Sequence, residues 1–136
     1  MAEKKQPEKQ VKKTKKKTGV NITPSGRIYI TATFNNTLVT ITNSNGDTIG
    51  WSSSGAAGFK GTRKSTPYAA TNAVEQVSKK AMEKGLKSVE VYVKGPGPGR
   101  EASLRGIRSA GLSISMISDL TPIPHNGPRS KKKRRV

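Results

Sequence analysis

The sequence predicts an α/β fold, in which helices cover a mixed five-stranded sheet with the element order β-β-β-α-β-α-β. Two patterns support this prediction. Apolar and polar residues alternate with a period of two through the first half of the chain, whereas two later segments repeat apolar residues every three to four positions and end at a glycine. An antiparallel meander followed by two helical crossovers to parallel strands accommodates both patterns.

The first two strands are predicted from alternation on either side of a reversal. Residues 28–34 alternate apolar and polar side chains up to Phe34, which indicates a half-buried strand. Asn35-Asn36 tolerates positive φ and can make a tight turn. Val39 and Ile41 then mark a second strand, which we expect to pair back on the first.

The third strand follows a turn at Asn45-Gly46, a dipeptide that favours hairpins. Residues 48–52 form this strand and carry Ile49 and Trp51. We interpret Trp51, together with Tyr92 further along the chain, as a packing residue.

The first helix is predicted between two end signals. Thr66 can cap its N-terminus with Pro67 in the first position, and Gly85 is suited to the left-handed conformation that ends a helix. Its buried face follows from the three-to-four spacing of Ala70, Ala73, Val74, Val77 and Ala81.

The last two strands enclose a shorter helix. Residues 101–110 have helical spacing with Leu104 and Ile107 inward, and Gly111 ends the segment. The strands are marked by alternate apolar residues, namely Val89, Val91 and Val93 before the helix and Leu112, Ile114 and Met116 after it.

The net charge of +18 is concentrated at the two ends of the chain. Residues 1–17 have a net charge of +6 and almost no apolar side chains, so we expect a disordered lysine-rich arm. Residues 120–136 carry another +6, and their prolines favour an extended basic tail over residues 122–136. Residues 18–121 remain as one domain. Two cationic arms on one domain indicate a polyanionic partner, which in a cell is usually nucleic acid.

The composition excludes several classes of protein. The chain has no cysteine and one histidine, His125, so disulfides and cysteine-based zinc sites are excluded and no metal or other cofactor is expected. No apolar run approaches the roughly 20 residues that span a bilayer. We expect a cytoplasmic protein with no membrane contact and no homo-oligomeric state.

The predicted order of elements is that of the ribonuclease-H-like arrangement, whose nucleases hold two metal ions with converging carboxylates. The carboxylates that this sequence could supply to such a site are Asp47 in a turn, Glu90 on a strand, Glu101 at a helix start and Asp119 at a strand end. They do not make such a set, so we predict a protein that is not an enzyme. A DNA-packaging protein would share the charge and the arms, although the meander and the loop described next argue against it.

The most specific segment is the strand-to-helix loop Lys94-Gly95-Pro96-Gly97-Pro98-Gly99-Arg100. Gly95, Gly97 and Gly99 allow close backbone approach and the prolines stiffen the path, so we expect the loop to deliver Arg100 toward a phosphate. A rigid connector without a ligand is the alternative. The Gly-Lys-Ser/Thr ending of a P-loop is missing, so a mononucleotide site is not expected.

Further cations extend this basic surface. Arg105 and Arg108 share the exposed face of the second predicted helix, for which a merely solvated face is the alternative. Phe59, in the glycine-rich loop before the first helix, is expected to anchor that loop in the core, and stacking on a base is the alternative. The cations of this loop and of the tail are Lys60, Arg63, Lys64, Arg129, Lys131, Lys132, Lys133, Arg134 and Arg135.

Six segments of the sequence resemble one known family. They are Phe34-Asn35-Asn36-Thr37, Trp51-Ser52-Ser53-Ser54-Gly55, Gly58-Phe59-Lys60-Gly61, Lys64-Ser65-Thr66-Pro67, residues 93–100 and Thr121-Pro122-Ile123-Pro124-His125-Asn126-Gly127. From about residue 20 to the C-terminus, the chain resembles the eleventh small-subunit ribosomal protein of the bacterial type.

This resemblance implies a structural RNA-binding protein without catalytic activity. Its place would be the platform of the small ribosomal subunit, where it would bridge helices of the ribosomal RNA and form part of the cleft that holds the Shine-Dalgarno region of the messenger. The implied neighbours are the seventh and eighteenth small-subunit proteins, with the third initiation factor nearby. By the same resemblance, residues 95–100, the cations of residues 60–64 and the tail from His125 and Asn126 onward are assigned to RNA.

Asn126-Gly127 adds a chemical hypothesis. A glycine after asparagine leaves its own backbone nitrogen unhindered, so this nitrogen can attack the side chain of Asn126 to close a succinimide, which opens to isoaspartate. The same holds for Asn45-Gly46. Slow damage or an ordinary turn is the alternative.

Overall fold

The first three strands form an antiparallel meander in the computed structural model, which describes residues 19–136. Strand β1 (Ser25–Ala32) pairs with β2 (Thr37–Asn43), and β2 pairs with β3 (Thr48–Ser53). The arm predicted for residues 1–17 lies outside the described residues.

Two crossovers complete the sheet. After a short 3-10 helix (Gly61–Ser65), helix α1 (Pro67–Glu83) leads to β4 (Ser88–Lys94), and helix α2 (Gly99–Ala110) leads to β5 (Ser113–Asp119). Strand β4 pairs parallel to β1, and β5 pairs parallel to β4, which gives the sheet order β3-β2-β1-β4-β5. The predicted mixed α/β fold is confirmed.

Both helices end and begin as their sequences indicate, with one difference. The Thr66 hydroxyl accepts a hydrogen bond from the Ala69 amide at the start of α1, and Gly111, at φ +99°, caps the end of α2 in the left-handed conformation. Helix α2 begins at Gly99, two residues earlier than predicted. Neither helix combines the length and the apolar character that a bilayer crossing requires, within the part of the chain that the structure describes.

The hydrophobic core lies between the two helices and one face of the sheet. Helices α1 and α2 pack against each other and against the sheet on the same side. The fully buried residues on that side include Ile28, Ile30, Val39, Ile41, Val74, Val91 and Ile107. In residues 19–136 no helix covers the opposite side, which we call the open face of the sheet.

Phe34 corrects the predicted extent of the first strand. Strand β1 ends at Ala32 because Thr33 turns the chain: its amide donates to the carbonyl of Asn36 at 2.8 Å, and the Asn36 amide donates back to the Thr33 hydroxyl at 3.0 Å. Phe34 therefore lies at the tip of the turn, where it is 71% exposed.

The predicted packing of Trp51 is wrong, and a β-bulge explains the error. In β3, Gly50 pairs with Ile41 and Thr48 with Thr42, so one extra residue lies between them and Trp51 faces the opposite side from Ile49. A second bulge, in β5, turns Met116 outward in the same way. Trp51 is 66% exposed and Met116 is 43% exposed.

Candidate nucleic-acid interface

The segments that carry the predicted site leave the sheet at one end. Strands β1, β4 and β5 run parallel and finish there, and β3 also finishes there because Ser53 pairs with Leu38 at the start of β2. We call this the cationic end. It brings together the loop that contains residues 60–64, the Gly-Pro loop of residues 95–99 and the tail from residue 120, and both helices begin at it.

The Gly-Pro loop packs tightly against the chain itself. The Gly97 amide donates to the carbonyl of Ala32 at 2.9 Å, and a Cβ atom at Gly97 would collide with the carbonyl oxygen of Thr33. Gly95 has φ +97°, and a Cβ atom there would collide with the carbonyl oxygen of Ala32. These glycines therefore permit a close approach to the end of β1, and their contact with a phosphate stays a prediction.

Gly99 serves the same packing at the start of α2. A Cβ atom there would collide with the hydroxyl of Thr37 and press on the side chain of Ala70. Gly97 and Gly99 are both buried. The parts of this loop that face solvent are Pro96 and Pro98, and Lys94, at the end of β4, is also exposed.

Arg100 joins the Gly-Pro loop to the tail. Its guanidinium donates to the carbonyl of Gly95 at 2.8 Å, to the hydroxyl of Thr121 at 3.3 Å and to a carboxylate oxygen of Asp119 at 2.8 Å. The other Asp119 oxygen accepts from the amide and the hydroxyl of Thr121 at 2.9 and 2.6 Å. We call Arg100, Asp119 and Thr121 the tail latch. Sequence reasoning missed it, because nothing in the sequence pairs residues 19 positions apart on different elements.

The latch changes the acidity of its carboxyl group. Hydrogen bonds from Arg100, and then from Thr121, stabilise the ionised form and hold the pKa of Asp119 well below its ordinary value of 3.8. The carboxylate is therefore charged over the whole physiological range, and it opposes part of the charge of Arg100.

The exposed face of α2 carries the cations that the sequence predicted, one of them paired. Arg105 donates to Glu101 at 2.6 Å, in an i,i+4 pair whose side chains are both more than three-quarters exposed. Such an exposed pair is weak, so a phosphate can displace the carboxylate. Arg105 and Arg108 border a shallow groove that Leu104 and Ile117 also line.

The loop before α1 presents its cations outward. Lys60 and Arg63 are exposed and Lys64 is half-buried, and within residues 19–136 none of the three forms an ion pair with a carboxylate. Phe59 packs edge-to-face on Tyr68, with ring centroids 5.8 Å apart. Phe59 is half-buried and Tyr68 is exposed, so this contact lies at the surface and not in the core where Phe59 was expected.

The tail is exposed from Leu120 to the C-terminus and has no regular secondary structure. Its cations, and His125 and Asn126 with them, are open to a partner. Asn126 is the only non-glycine residue with positive φ in the described chain, at +58°.

The acidic residues are spread over the domain. In residues 19–136 no group of three His, Asp or Glu side chains could hold a metal ion. Four of the carboxylates have polar partners of their own: Asp47 contacts Asn43, Glu90 contacts Arg27, Glu101 contacts Arg105 and Asp119 contacts Arg100.

The comparison with known families covers nearly the whole described fold. The family described as "Ribosomal protein S11" matches residues 26–135. The chain belongs to the ribosomal protein S11 family. It is also 55% identical, over 128 residues, to the small ribosomal subunit protein uS11c of Tupiella akineta, a match that covers 94% of this chain and 98% of that protein.

Membership of the S11 family confirms the resemblance seen in the motifs. The protein is a constituent of the small ribosomal subunit, with a structural role and no enzymatic activity. RNA binding and a role in translation follow from the S11 family, and ribosomal RNA and other ribosomal proteins are its partners.

Proposed function

We propose that this protein binds small-subunit ribosomal RNA with its cationic end, on the platform of the subunit, where it bridges RNA helices and forms part of the Shine-Dalgarno cleft. One observation supports this RNA-binding surface most directly. Three cation-bearing segments, distant in sequence, leave the sheet at the same end. A surface of this kind can contact several RNA segments at once.

The chemistry of the surface suits folded RNA. An RNA duplex hides its base edges in a deep, narrow groove, so proteins that bind duplexes and junctions contact phosphates and 2′-hydroxyl groups. Lysine and arginine side chains on mobile or extended segments make such contacts without demanding a sequence. The exposed residues 120–136, with a net charge of +6, provide six cations in a path that can follow a groove.

The proposed contact residues fall into three groups with different roles. Arg100 both orients the tail and borders the RNA surface, and Gly95, Gly97 and Gly99 shape the loop beside it. The side chains proposed to meet RNA directly are Lys60, Arg63, Lys64, Arg105, Arg108, His125, Asn126, Arg129, Lys131, Lys132, Lys133, Arg134 and Arg135.

The proposed neighbours on the platform are the seventh and eighteenth small-subunit proteins, with the third initiation factor and the Shine-Dalgarno region of the messenger nearby. The motifs of residues 93–100 and 121–127 support this placement, since they are the segments in which the chain most resembles the family. The proposal includes a cytoplasmic location, which cell fractionation tests.

The test compares cations of equal number at two ends of the domain. We expect Lys60→Ala with Arg63→Ala, at the cationic end, to lower the occupancy of the protein in small subunits purified on a sucrose gradient after a high-salt wash. The matched control is Lys79→Ala with Lys80→Ala, two exposed cations on the C-terminal half of α1. Equal losses for the two pairs would show that net charge, rather than the cationic end, governs binding.

A further inference from the structure

A row of side chains crosses the open face of the sheet from edge to edge. The strand pairing places Trp51, Thr40, Tyr29, Tyr92 and Ser118 opposite one another, one residue from each strand. Three of the six aromatic residues of the chain lie in this row. Trp51 is 66% exposed and Tyr29 is 37% exposed, and Leu38, in the neighbouring row, is 47% exposed. Large apolar side chains exposed together on one face are typical of interaction surfaces.

The aromatic rings and the polar groups around them are already fixed within the domain. Tyr29 and Tyr92 stack with their centroids 5.3 Å apart and their planes 16° from parallel. Glu90 accepts hydrogen bonds from Arg27 at 3.3 Å and from the Tyr92 hydroxyl at 3.1 Å. The hydrogen bond to Glu90 also raises the pKa of Tyr92, so its hydroxyl stays protonated. A partner therefore meets a pre-organised surface, which lowers the entropy lost on binding.

The charge of the open face differs from that of the rest of the protein. Residues 19–136 contain 18 Lys/Arg and 6 Asp/Glu, a net of +12. The residues that point from the strands to the open face include only Arg27, Glu90 and Lys94 with charge, and the first two form an ion pair. A single-stranded RNA platform combines aromatic rings with a cationic groove that follows the backbone. This face has the rings without the groove.

We propose that the open face is a protein-binding surface, and that its partner is an uncharged, apolar segment of a neighbouring small-subunit protein, held mainly by Trp51 and the Tyr29-Tyr92 stack. The proposal rests on the proposed function, because it assumes that the domain is assembled into the subunit with its cationic end on RNA. The domain then has two surfaces with separate chemistry. Phosphates bind at the end of the sheet, and apolar side chains bind across its open face.

A pair of photo-cross-linking sites tests both surfaces in one purified particle. A benzophenone amino acid is placed at Trp51 in one full-length protein and at Tyr68 in another, and each is assembled into small subunits and irradiated. The two positions are matched, because both are aromatic and they are 66% and 69% exposed. Tyr68 packs on Phe59, beside the loop cations, and serves as the reference for RNA.

We expect position 51 to cross-link to one dominant peptide, apolar and without net charge, from another small-subunit protein, and position 68 to cross-link to ribosomal RNA. A cross-link from position 51 to RNA, to a strongly charged peptide or to a second copy of this chain would overturn the proposal, as would a failure to cross-link while position 68 succeeds. If position 68 also fails to reach RNA, the proposed orientation of the cationic end is wrong, which is a different failure.

A conservative variant gives a second readout. Trp51→Thr keeps a residue that favours strands at an exposed position, so the domain should fold, which circular dichroism would verify. We expect it to weaken retention in the subunit roughly tenfold, as when an aromatic anchor is removed from a protein interface, with no change in the salt dependence of binding. Retention equal to that of the unchanged protein, or a shallower salt dependence, would contradict a protein contact at this face.

Discussion

Arg100 Nη2 lies 2.8 Å from Asp119 Oδ2, and this pair connects the first turn of α2 to the last residue of β5. The contact sets the direction in which the basic tail leaves the domain, because Thr121 is bound by the same two side chains. An arginine that the sequence assigns to a phosphate is thus also the residue that orients the tail. The two roles can be separated by experiment.

Replacement of Asp119 in the tail latch should impair assembly, although it makes the net charge of the protein more positive. We expect Asp119→Ala to lower small-subunit occupancy in the same direction as Arg100→Ala, because both release the tail. Combining Arg100→Ala with Arg105→Ala should lower occupancy further without unfolding the domain. Occupancy is measured on sucrose gradients after a moderate salt wash. If Asp119→Ala assembles normally while Arg100→Ala does not, Arg100 acts on RNA alone.

The latch should also show in the free protein by amide hydrogen exchange. The Leu120 amide donates to the carbonyl of Val93 at 2.8 Å, and the Gly95 amide donates to the Thr121 hydroxyl at 3.2 Å. In Asp119→Ala these two amides should exchange faster, since they depend on the position of the latch, while amides in the centre of β1 keep their rates. A uniform acceleration would instead report global destabilisation.

Protonation of Asp119 should make the folded protein less stable as the pH becomes acidic. Its folded-state pKa lies below the ordinary value of 3.8, so the stabilisation is fully present above that pH and is lost as the pH falls toward the folded-state value. The difference in unfolding free energy between the unchanged protein and Asp119→Asn should therefore be constant at neutral pH and shrink below about pH 3.8. The side chains are partly exposed, so added salt should reduce the difference. An Asp119 carboxyl that titrates at its ordinary value in NMR would contradict this.

A side chain added in the Gly-Pro loop should destabilise the free protein, whether or not the loop contacts RNA. Gly97→Ala forces a Cβ atom against the Thr33 carbonyl, so we expect it to lower the unfolding free energy by about 1–3 kcal/mol in the absence of RNA. Gly50→Ala is the control, since the nearest neighbour of its Cβ atom, Val77 Cγ1, would be 3.7 Å away, an ordinary contact. It should change stability by no more than about 0.5 kcal/mol. Similar values for the two variants in urea unfolding would remove the packing explanation.

The salt dependence of binding should report the number of phosphates that the protein contacts. About ten contacts would give a log-log slope of roughly −7 to −9 for binding to small-subunit particles that lack this protein. Removal of residues 131–136 deletes five cations, so the slope should become shallower by about 3.5 to 4.5. A slope that does not change would mean that the tail does not contact phosphates.

Isoaspartate formation at Asn126 remains a prediction, and the second Asn-Gly site of the chain provides an internal control. Asn126 and Asn45 both precede glycine, but Asn126 lies in the exposed tail whereas the Asn45 amide is bound by the side chain of Asn43 in a tight turn. We expect isoaspartate at residue 126 and little at residue 45 in peptide maps of fresh and aged subunits. Its absence from residue 126 in both samples would end the hypothesis.

The order of elements was predictable because each signal is local. A cap residue, a glycine at the end of a helix or an alternation over four residues depends only on neighbours in the chain, so the helices and the sheet followed from the sequence. The exposed sides of Trp51 and Met116 did not follow, because each depends on a bulge, and a bulge is defined by the register between two strands.

The candidate site was predictable in its residue types and only partly in its geometry. Lys60, Arg63 and Arg108 lie on the surface, as expected from their charge. The glycines of the Gly-Pro loop were recognised as sites of close approach, yet the backbone that they approach is that of Ala32 and Thr33, which only the parallel pairing of β1 and β4 brings near. Roles that arise from pairing between distant segments cannot be read from either segment alone.

Trp51 determines what spectroscopy can reveal about this protein, because it is the only tryptophan in the chain and its indole is mostly in water. Its emission should already resemble that of an unfolded peptide and should be readily quenched by acrylamide. Intrinsic tryptophan fluorescence is therefore a poor measure of unfolding here, and an unfolding transition followed by that signal alone would be nearly silent. The same property makes the indole a sensitive optical reporter of any molecule that comes to rest on the sheet.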